Sequence, residues 1–279
     1  MTYLDFEPDF DSPSVLVPYD ELPLWSAMFG LLLLDEVPLH GVTNALDIGC
    51  GTGFPLIELA ERLGPASHVH GVDPWQGGLR RASEKIAARR TPNVTLHHGS
   101  AASMPFPDSH FDLAVSNLGL NNFEDRVGAI RECRRVMRAG ATIALTTNLQ
   151  GHMAELYEVF GEILTNDTES LERLREHVAH RATIDSVREL IEENGFTVTR
   201  VVEKNGLMRF ANGTALFHHH FIKLGFLDAW KKIVAPADLH ETFARLEVRL
   251  NELAQRKGEL RLTIPMAYIE GMAQSSQHG

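Results

Sequence analysis

Between Asn44 and Thr147 the chain alternates short apolar runs with amphipathic stretches, and no other feature limits its possible folds as strongly. The runs are Ala45–Ile48, His68–Val72, Val94–His98, Phe111–Ser116 and Thr142–Thr147. Between them, apolar residues fall at helical spacing: Leu56, Leu59, Ala60 and Leu63; then Leu79, Ala82 and Ile86; then Val127, Ile130 and Met137. Strands that alternate with helices at this pitch form a parallel sheet through right-handed crossovers. Near-continuous apolar strands imply helices on both faces. The expected fold is α/β, a doubly wound, Rossmann-like sheet.

After the fifth run the rhythm breaks. Residues 150–182 predict two helices, on Leu156, Val159, Phe160 and Ile163 and then on Leu171, Leu174 and Val178. A helix over 185–194 stops at Asn194–Gly195, a strand follows over Phe196–Glu203, and 212–256 is helical again with Leu239, Phe243, Leu246, Leu250 and Leu253 as one stripe. The last strand is expected at Leu260–Glu270, before a polar tail from Gln274 to Gly279. At the other end, 1–18 is acidic and aperiodic (Asp5, Glu7, Asp9, Asp11) and predicts an extended arm, with a helix over 20–35. The expected organisation is an arm and helix over 1–35 and one domain over 36–279, with helical insertions at 150–182 and 207–258.

Composition excludes some function classes. The net charge of −11 at pH 7 opposes loose binding to polyanions, where phosphate neutralisation supplies most of the affinity. The basic cluster Arg80, Arg81, Lys85, Arg89 and Arg90 is read as a solvated helix face. Two cysteines, Cys50 and Cys133, suggest no disulfide framework and fit a reducing compartment. The acidic start is not a secretory leader, and Phe29–Leu34 is far too short to span a bilayer. The expectation is a soluble cytoplasmic protein, monomer or homodimer, that binds neither nucleic acid nor membrane.

The chemistry concentrates in Leu46-Asp47-Ile48-Gly49-Cys50-Gly51-Thr52-Gly53-Phe54. Glycines directly after a strand and before a helix let backbone approach a ligand closely. Dinucleotide sites use a G-x-G-x-x-G spacing and bring pyrophosphate to the helix N-terminus. Here the spacing is G-x-G-x-G, and Asp47 ends the strand beneath the loop. A carboxylate there repels pyrophosphate and welcomes an ammonium. S-adenosylmethionine carries an ammonium and a sulfonium and no phosphate, so the electrostatics favour it. Asp73, with Pro74 beside it, lies 20 residues beyond Gly53, where an acid can accept from both ribose hydroxyls in either cofactor class.

These residues and their order resemble the class I S-adenosylmethionine-dependent methyltransferases. Asp47-Ile48-Gly49-Cys50-Gly51-Thr52-Gly53 is similar to the first motif of that family, and Gly71-Val72-Asp73 to the second. His98–Phe106 resembles the loop after strand 3, Phe111–Asn117 the fourth motif, and Glu132–Ala141 the passage into strand 5. The resemblance covers about residues 44–148 and is nearest the type 11, ubiquinone-biosynthesis-like branch, which methylates small molecules. It implies a seven-stranded sheet of order 3-2-1-4-5-7-6 with the last strand antiparallel. It also implies Asp47, Gly49, Cys50, Gly51 and Gly53 around the methionine moiety, Asp73 on the ribose, the Ala101 N–H at adenine and Asn117 near the methionine portion. Ser100 departs from the pattern: the family usually has an acid there, and serine keeps the hydrogen bond without its charge assistance.

The expected reaction is methyl transfer to a small-molecule acceptor by in-line displacement; a nucleic-acid or protein methyltransferase, or a non-catalytic S-adenosylmethionine-binding protein, shares the same motifs. Positioning and water exclusion can carry such a reaction, so no dedicated nucleophile is required. Asn117-Leu118-Gly119-Leu120-Asn121-Asn122-Phe123 lacks the Pro-Pro-aromatic run associated with nucleobase amino methylation. Asn121 and Asn122 are read as turn or capping residues. His218, His219 and His220 are candidate bases rather than metal ligands, because consecutive helical residues point about 100° apart. His97 and His98 are weaker candidates. Tyr19 and Trp25 precede the first strand and are candidates to reach the pocket. No metal is expected. The insertions at 150–182 and 207–258 follow the carboxyl ends of strands, where doubly wound sheets bind ligands. They are expected to form a helical lid around an apolar acceptor cavity, with Phe217, Phe221 or Trp230 in its wall.

Overall fold

The computed structural model describes residues 3–10, 12–21 and 24–275. Asp11 of the expected arm, residues 22–23 within the expected 20–35 helix, and 276–279 of the polar tail lie outside them. The residues divide into two compact units. A sheet unit comprises Pro23–Asn148, Ala182–Lys204 and Met266–Gly279; a helical unit comprises Met1–Leu22, Leu149–Arg181 and Asn205–Pro265.

The sheet has seven strands: β1 Asn44–Ile48, β2 His68–Asp73, β3 Val94–His98, β4 Phe111–Asn117, β5 Met137–Asn148, β6 Phe196–Phe210 and β7 Leu260–Ala273. Their order is β3-β2-β1-β4-β5-β7-β6, as the resemblance implies. β1 pairs parallel with β2 and β4, and β7 pairs antiparallel with β5. Leu46, Ile48, Leu113, Val115, Ile143 and Leu145 are buried, which fits a sheet covered on both faces. The helix Leu56–Leu63 buries Leu56, Ile57, Leu59 and Ala60 beside β2, and Gln76–Arg89 packs by Leu79 and Ala82 on β2 and β3.

Three expectations shift. The helix Arg126–Val136 buries Ala129, Ile130, Cys133 and Val136, leaving Val127 exposed, because Met137 already belongs to β5. β5 starts five residues early and bulges where its register against β4 slips between Phe111 and Leu113. β6 runs on to Phe210, well past Glu203.

No helix separates β3 from β4; the turn-rich residues 99–110 cross instead. Phe106 from that crossing packs edge-on against His97 and Phe111, at 4.7 and 4.9 Å between ring centres. His68 and His70 share a face of β2 by period two, and the His70 Nδ1 lies 3.0 Å from His97 Nε2 on β3. Burial, reinforced by His68, His97 and His110, pushes His70 down to about 4.

In the helical unit, the N-terminal residues are not wholly extended: Pro13–Glu21 is a helix. Ala154–Ile163 and Thr168–Ala179 are the two helices expected within 150–182; Asp167 caps the second by accepting from Ser170 N. The stretch expected to be continuous over 212–256 is broken into Gly213–His218, His220–Gly225, Leu227–Lys231 and Leu239–Lys257. The last helix buries Phe243, Leu246, Leu250 and Ala254; Leu253 is only half-buried.

The sign of the His70 shift gives a test. An unfolded histidine takes a proton near 6.5, whereas His70 holds off until about 4, so stability falls as pH drops through that window. His70→Asn is expected to flatten part of that fall, read as urea midpoints at pH 7 and pH 5.

Candidate functional site

Asp47 sits in the middle of the sheet, with β1 pairing it to Gly71 of β2 and to Val115 of β4. Its side chain is fully buried, and neither carboxylate oxygen has a hydrogen-bond partner among the described residues. Burial raises its pKa to about 8, the nearby Asp73 carboxylate adds to the rise, and the Leu56 N–H works against it. A buried carboxyl without donors is costly in either protonation state unless a ligand supplies them.

The glycine loop turns its own donors away from Asp47. Gly49 N–H and Cys50 N–H both donate to Val72 O, at 2.8 and 3.3 Å, and Gly51 N–H donates to Asp73 Oδ2 at 2.8 Å. These three donors are thus spent on the end of β2, and Gly53 N–H closes the loop on Cys50 O at 2.8 Å. Gly49 at φ +78° and Gly53 at φ +96° hold the left-handed backbone that this path needs. Gly71, beneath the loop, has no room for a Cβ: one would lie 2.8 Å from Cys50 Sγ. The Cys50 thiol is buried and its pKa pushed well up by burial, so it packs rather than reacts.

Asp73 also accepts from Trp75 N–H at 2.7 Å. Each of its oxygens therefore carries one backbone donor and keeps a lone pair for one more. His98 Nε2 donates to Pro74 O at 3.0 Å, tying the end of β3 to that turn. Beyond it, the Ser100 hydroxyl is used locally, accepting from Ala102 N–H at 3.2 Å, while the Ala101 N–H has no partner among the described residues. Asn117, at the end of β4, accepts from Thr146 Oγ1 at 2.7 Å and donates to Ser26 O at 3.1 Å. It thereby braces the helix Leu24–Glu36 against β4 and β5.

A cluster that sequence reasoning passed over joins these residues. Thr147 Oγ1 donates to Asn121 Oδ1 at 2.5 Å, and Asn121 Nδ2 donates to Asn148 Oδ1 at 2.6 Å. Asn122 does make the turn bond expected of it, to Leu118 O. The signal was available: the apolar run Ile143–Leu145 of β5 passes into Thr146-Thr147-Asn148, all buried.

The remaining candidates belong to the helical unit. The three histidines do not lie on one helix, because His219 is extended between two short helices. Their rings part, His218 to Tyr3, His219 to Phe210 and His220 to Phe6. Tyr19 is partly exposed, edge-on to Phe10 at 6.1 Å. Phe217 and Trp230, expected in a cavity wall, are fully buried in that unit's own core; Phe217 stacks on Tyr3 at 5.1 Å and meets Trp230 edge-on. Phe221, also buried, lies edge-on to Phe226. Trp25, in the sheet unit, packs on Phe29 at 5.1 Å.

The Methyltransferase domain family (type 11) matches residues 46–145. Demethylmenaquinone methyltransferase of Listeria monocytogenes serotype 4a is 30% identical over 175 residues, 59% of this chain and 74% of that protein. The protein of the same name from Geobacillus kaustophilus is 34% identical over 169 residues, 57% of this chain and 72% of that one. The chain belongs to the class I S-adenosylmethionine-dependent methyltransferases. Among solved structures, a methyltransferase from Bacillus halodurans is similar with a TM-score of 0.59 at 16% identity, over 88% of this chain and 99% of that one. Phosphoethanolamine N-methyltransferase 2 of Haemonchus contortus, solved with S-adenosylhomocysteine, is similar with a TM-score of 0.53 at 17% identity, over 90% of this chain and 53% of that one. These two share the fold. This methyltransferase takes S-adenosylmethionine as its methyl donor and a small molecule as acceptor. Among its described residues no helix is long and apolar enough to cross a membrane.

The orphan carboxyl predicts a pH dependence. From 3.8 to about 8 the unfolded carboxyl ionises while folded Asp47 keeps its proton, so stability is lost as pH rises through that window. Asp47→Asn is expected to remove that loss, giving a variant whose melting temperature at pH 8 matches or exceeds that of the parent.

Proposed function

We propose that Asp47 receives the ammonium of S-adenosylmethionine, that Asp73 holds the ribose hydroxyls, and that the Ala101 N–H meets adenine. Gly49, Cys50, Gly51 and Gly53 wall the methionine portion, with Pro74, Ser100 and Asn117 at its margins. The observation that carries this reading is the donor-starved carboxyl of Asp47, fully buried at the end of β1 while the Gly49, Cys50 and Gly51 N–H groups of the loop serve β2. A pyrophosphate would find the reverse, an anion where it needs donors.

The acceptor we infer is a small apolar ring compound of the quinol kind. Two observations support it: the curated relatives named for demethylmenaquinone methylation, and a net charge of −11 that disfavours a polyanionic acceptor. Arg81 is paired with Glu84 and Arg89 with Glu61, in a chain of net charge −11. The enzyme accordingly works in the cytoplasm, as monomer or homodimer, without nucleic acid. The helical unit, which the 46–145 match leaves out, selects the acceptor.

Calorimetry is expected to show S-adenosylmethionine and S-adenosylhomocysteine binding, with proton release at pH 7 as Asp47 ionises, and no binding of nicotinamide dinucleotides. Asp73→Ala removes hydrogen bonds to charge worth roughly 1.5–3 kcal/mol each, so affinity falls by ten-fold or more. Wild-type affinity in that variant, or binding without proton release, would sink the assignment. Transfer of labelled methyl to a reduced demethylated naphthoquinone, and not to transfer RNA, checks the acceptor.

A further inference from the structure

The helical unit holds a cation without a counter-ion. Arg181 follows the helix Thr168–Ala179 by two positions and is half-buried. Its Nε–H is sealed from solvent and has no hydrogen-bond acceptor among the described residues. On the helix before it, Arg173 pairs with Glu169 and Arg175 with Glu172, whereas no carboxylate among the described residues pairs with Arg181.

The neighbours of Arg181 within the same unit are neutral. Tyr157 Oη, to which Arg181 donates, lies 3.3 Å from His152 Nε2 and 3.1 Å from His177 Nε2, and it accepts from Trp230 Nε1 at 3.1 Å. Burial raises the pKa of the Tyr157 phenol. Burial first, and Arg181 after it, hold His152 down to about 3 and His177 down to about 4. At neutral pH neither imidazole is charged, the phenol keeps its proton, and the guanidinium alone among these groups carries charge. Half-buried Arg181 and His177 leave the cluster open to the surface, while His152 and Tyr157 lie buried behind them.

A desolvated N–H without an acceptor, on a cation without a counter-ion, is costly unless a ligand supplies both. We propose that the helical unit binds a carboxylate at Arg181, with an oxygen of the ligand accepting from the Nε–H. A carboxylate matches the fork of a guanidinium edge, and it matches the charge. One cation among neutral rings is balanced by a monoanion. A phosphate dianion would leave excess negative charge beside apolar rings: Phe226 lies tilted 5.8 Å from His152, and Trp230 edge-on 6.5 Å from Tyr157. This site draws on no residue of the sheet unit, and its occupancy does not depend on methyl transfer.

Nitrogen-15 spectra of the arginine side chains of the intact chain, recorded at constant ionic strength, test the site. Acetate is expected to shift the Arg181 Nε–H signal saturably. Acetamide, its neutral isostere, is expected to leave the signal in place, and inorganic phosphate to bind more weakly than acetate. Arg181→Gln keeps a hydrogen-bonding side chain without the charge; its missing signal assigns the resonance. Calorimetry of that variant is expected to show acetate affinity about ten-fold lower or worse, the scale of a lost hydrogen bond to charge. Parent-like affinity in Arg181→Gln, or an Arg181 signal that acetate does not move, overturns the site. An equal response to acetamide overturns the charge match, and tighter binding of phosphate overturns the carboxylate class. If Arg181→Gln does not fold, Arg181→Lys, which keeps the charge but not the fork, is expected to lose the same affinity, and the parent titrations decide the rest.

Discussion

The sheet unit is organised around a carboxyl that its own backbone declines to satisfy. Asp47 lies among Leu46, Ile48, Val72 and Val115, where an unpaired charge is expensive. The loop above it could have offered N–H groups, as loops that grip phosphate do. Instead Gly49 and Cys50 turn theirs to Val72 O and Gly51 turns its own to Asp73. One set of bonds therefore does two things. It locks the loop to the end of β2, and it leaves Asp47 waiting for a cation. The positive φ of the loop glycines and the absence of a Cβ at Gly71 are what that path demands.

Much of this was legible in the sequence because it depends on local pattern. Apolar runs and helical stripes place β1 to β4 and their helices within a residue or two, since burial on both faces leaves little choice of residue. Asp47, the glycines and Asp73 are readable because a strand–loop–helix joint needs those residue types. What escaped depends on register and on partners remote in sequence. The start of β5 at Met137 comes from pairing across a bulge with Phe111, which no helical stripe reveals. Asn121 looks like a turn residue, and only the fold brings it to Thr147 and Asn148, 26 and 27 residues on.

The helical unit was harder to read for a related reason. Its apolar residues suggested a lid, because amphipathic stripes need something to cover. The stripes largely cover one another: Phe160 and Phe217 both pack against Phe243, and Trp230 lies between Phe217 and Phe226. A stripe states that burial occurs, not what it is buried against. The broken helices of 213–231 follow from the same packing, since the extended His219 and the non-helical Phe226 turn the chain where a continuous rod would overrun the core.

The polar residues buried at the carboxyl ends of β4 and β5 differ in kind from those around Tyr157. At the carboxyl ends of β4 and β5, hydroxyls and amides pair off: Ser116 with Ile48 O, Thr146 with Asn117, Thr147 with Asn121, Asn121 with Asn148. Such pairs orient and exclude water but hold no proton to trade. In the helical unit, two imidazoles, an indole N–H and the Tyr157 phenol lie within hydrogen-bond distance, and burial lowers the pKa of both rings. Beside the cofactor loop the titratable groups are Asp47 and Asp73, two carboxyls whose pKa values burial raises. The His98 imidazole, tied to Pro74 O, works against that rise at Asp73, so the two carboxyls differ in how readily they ionise and Asp47 stays the one that a cation relieves most.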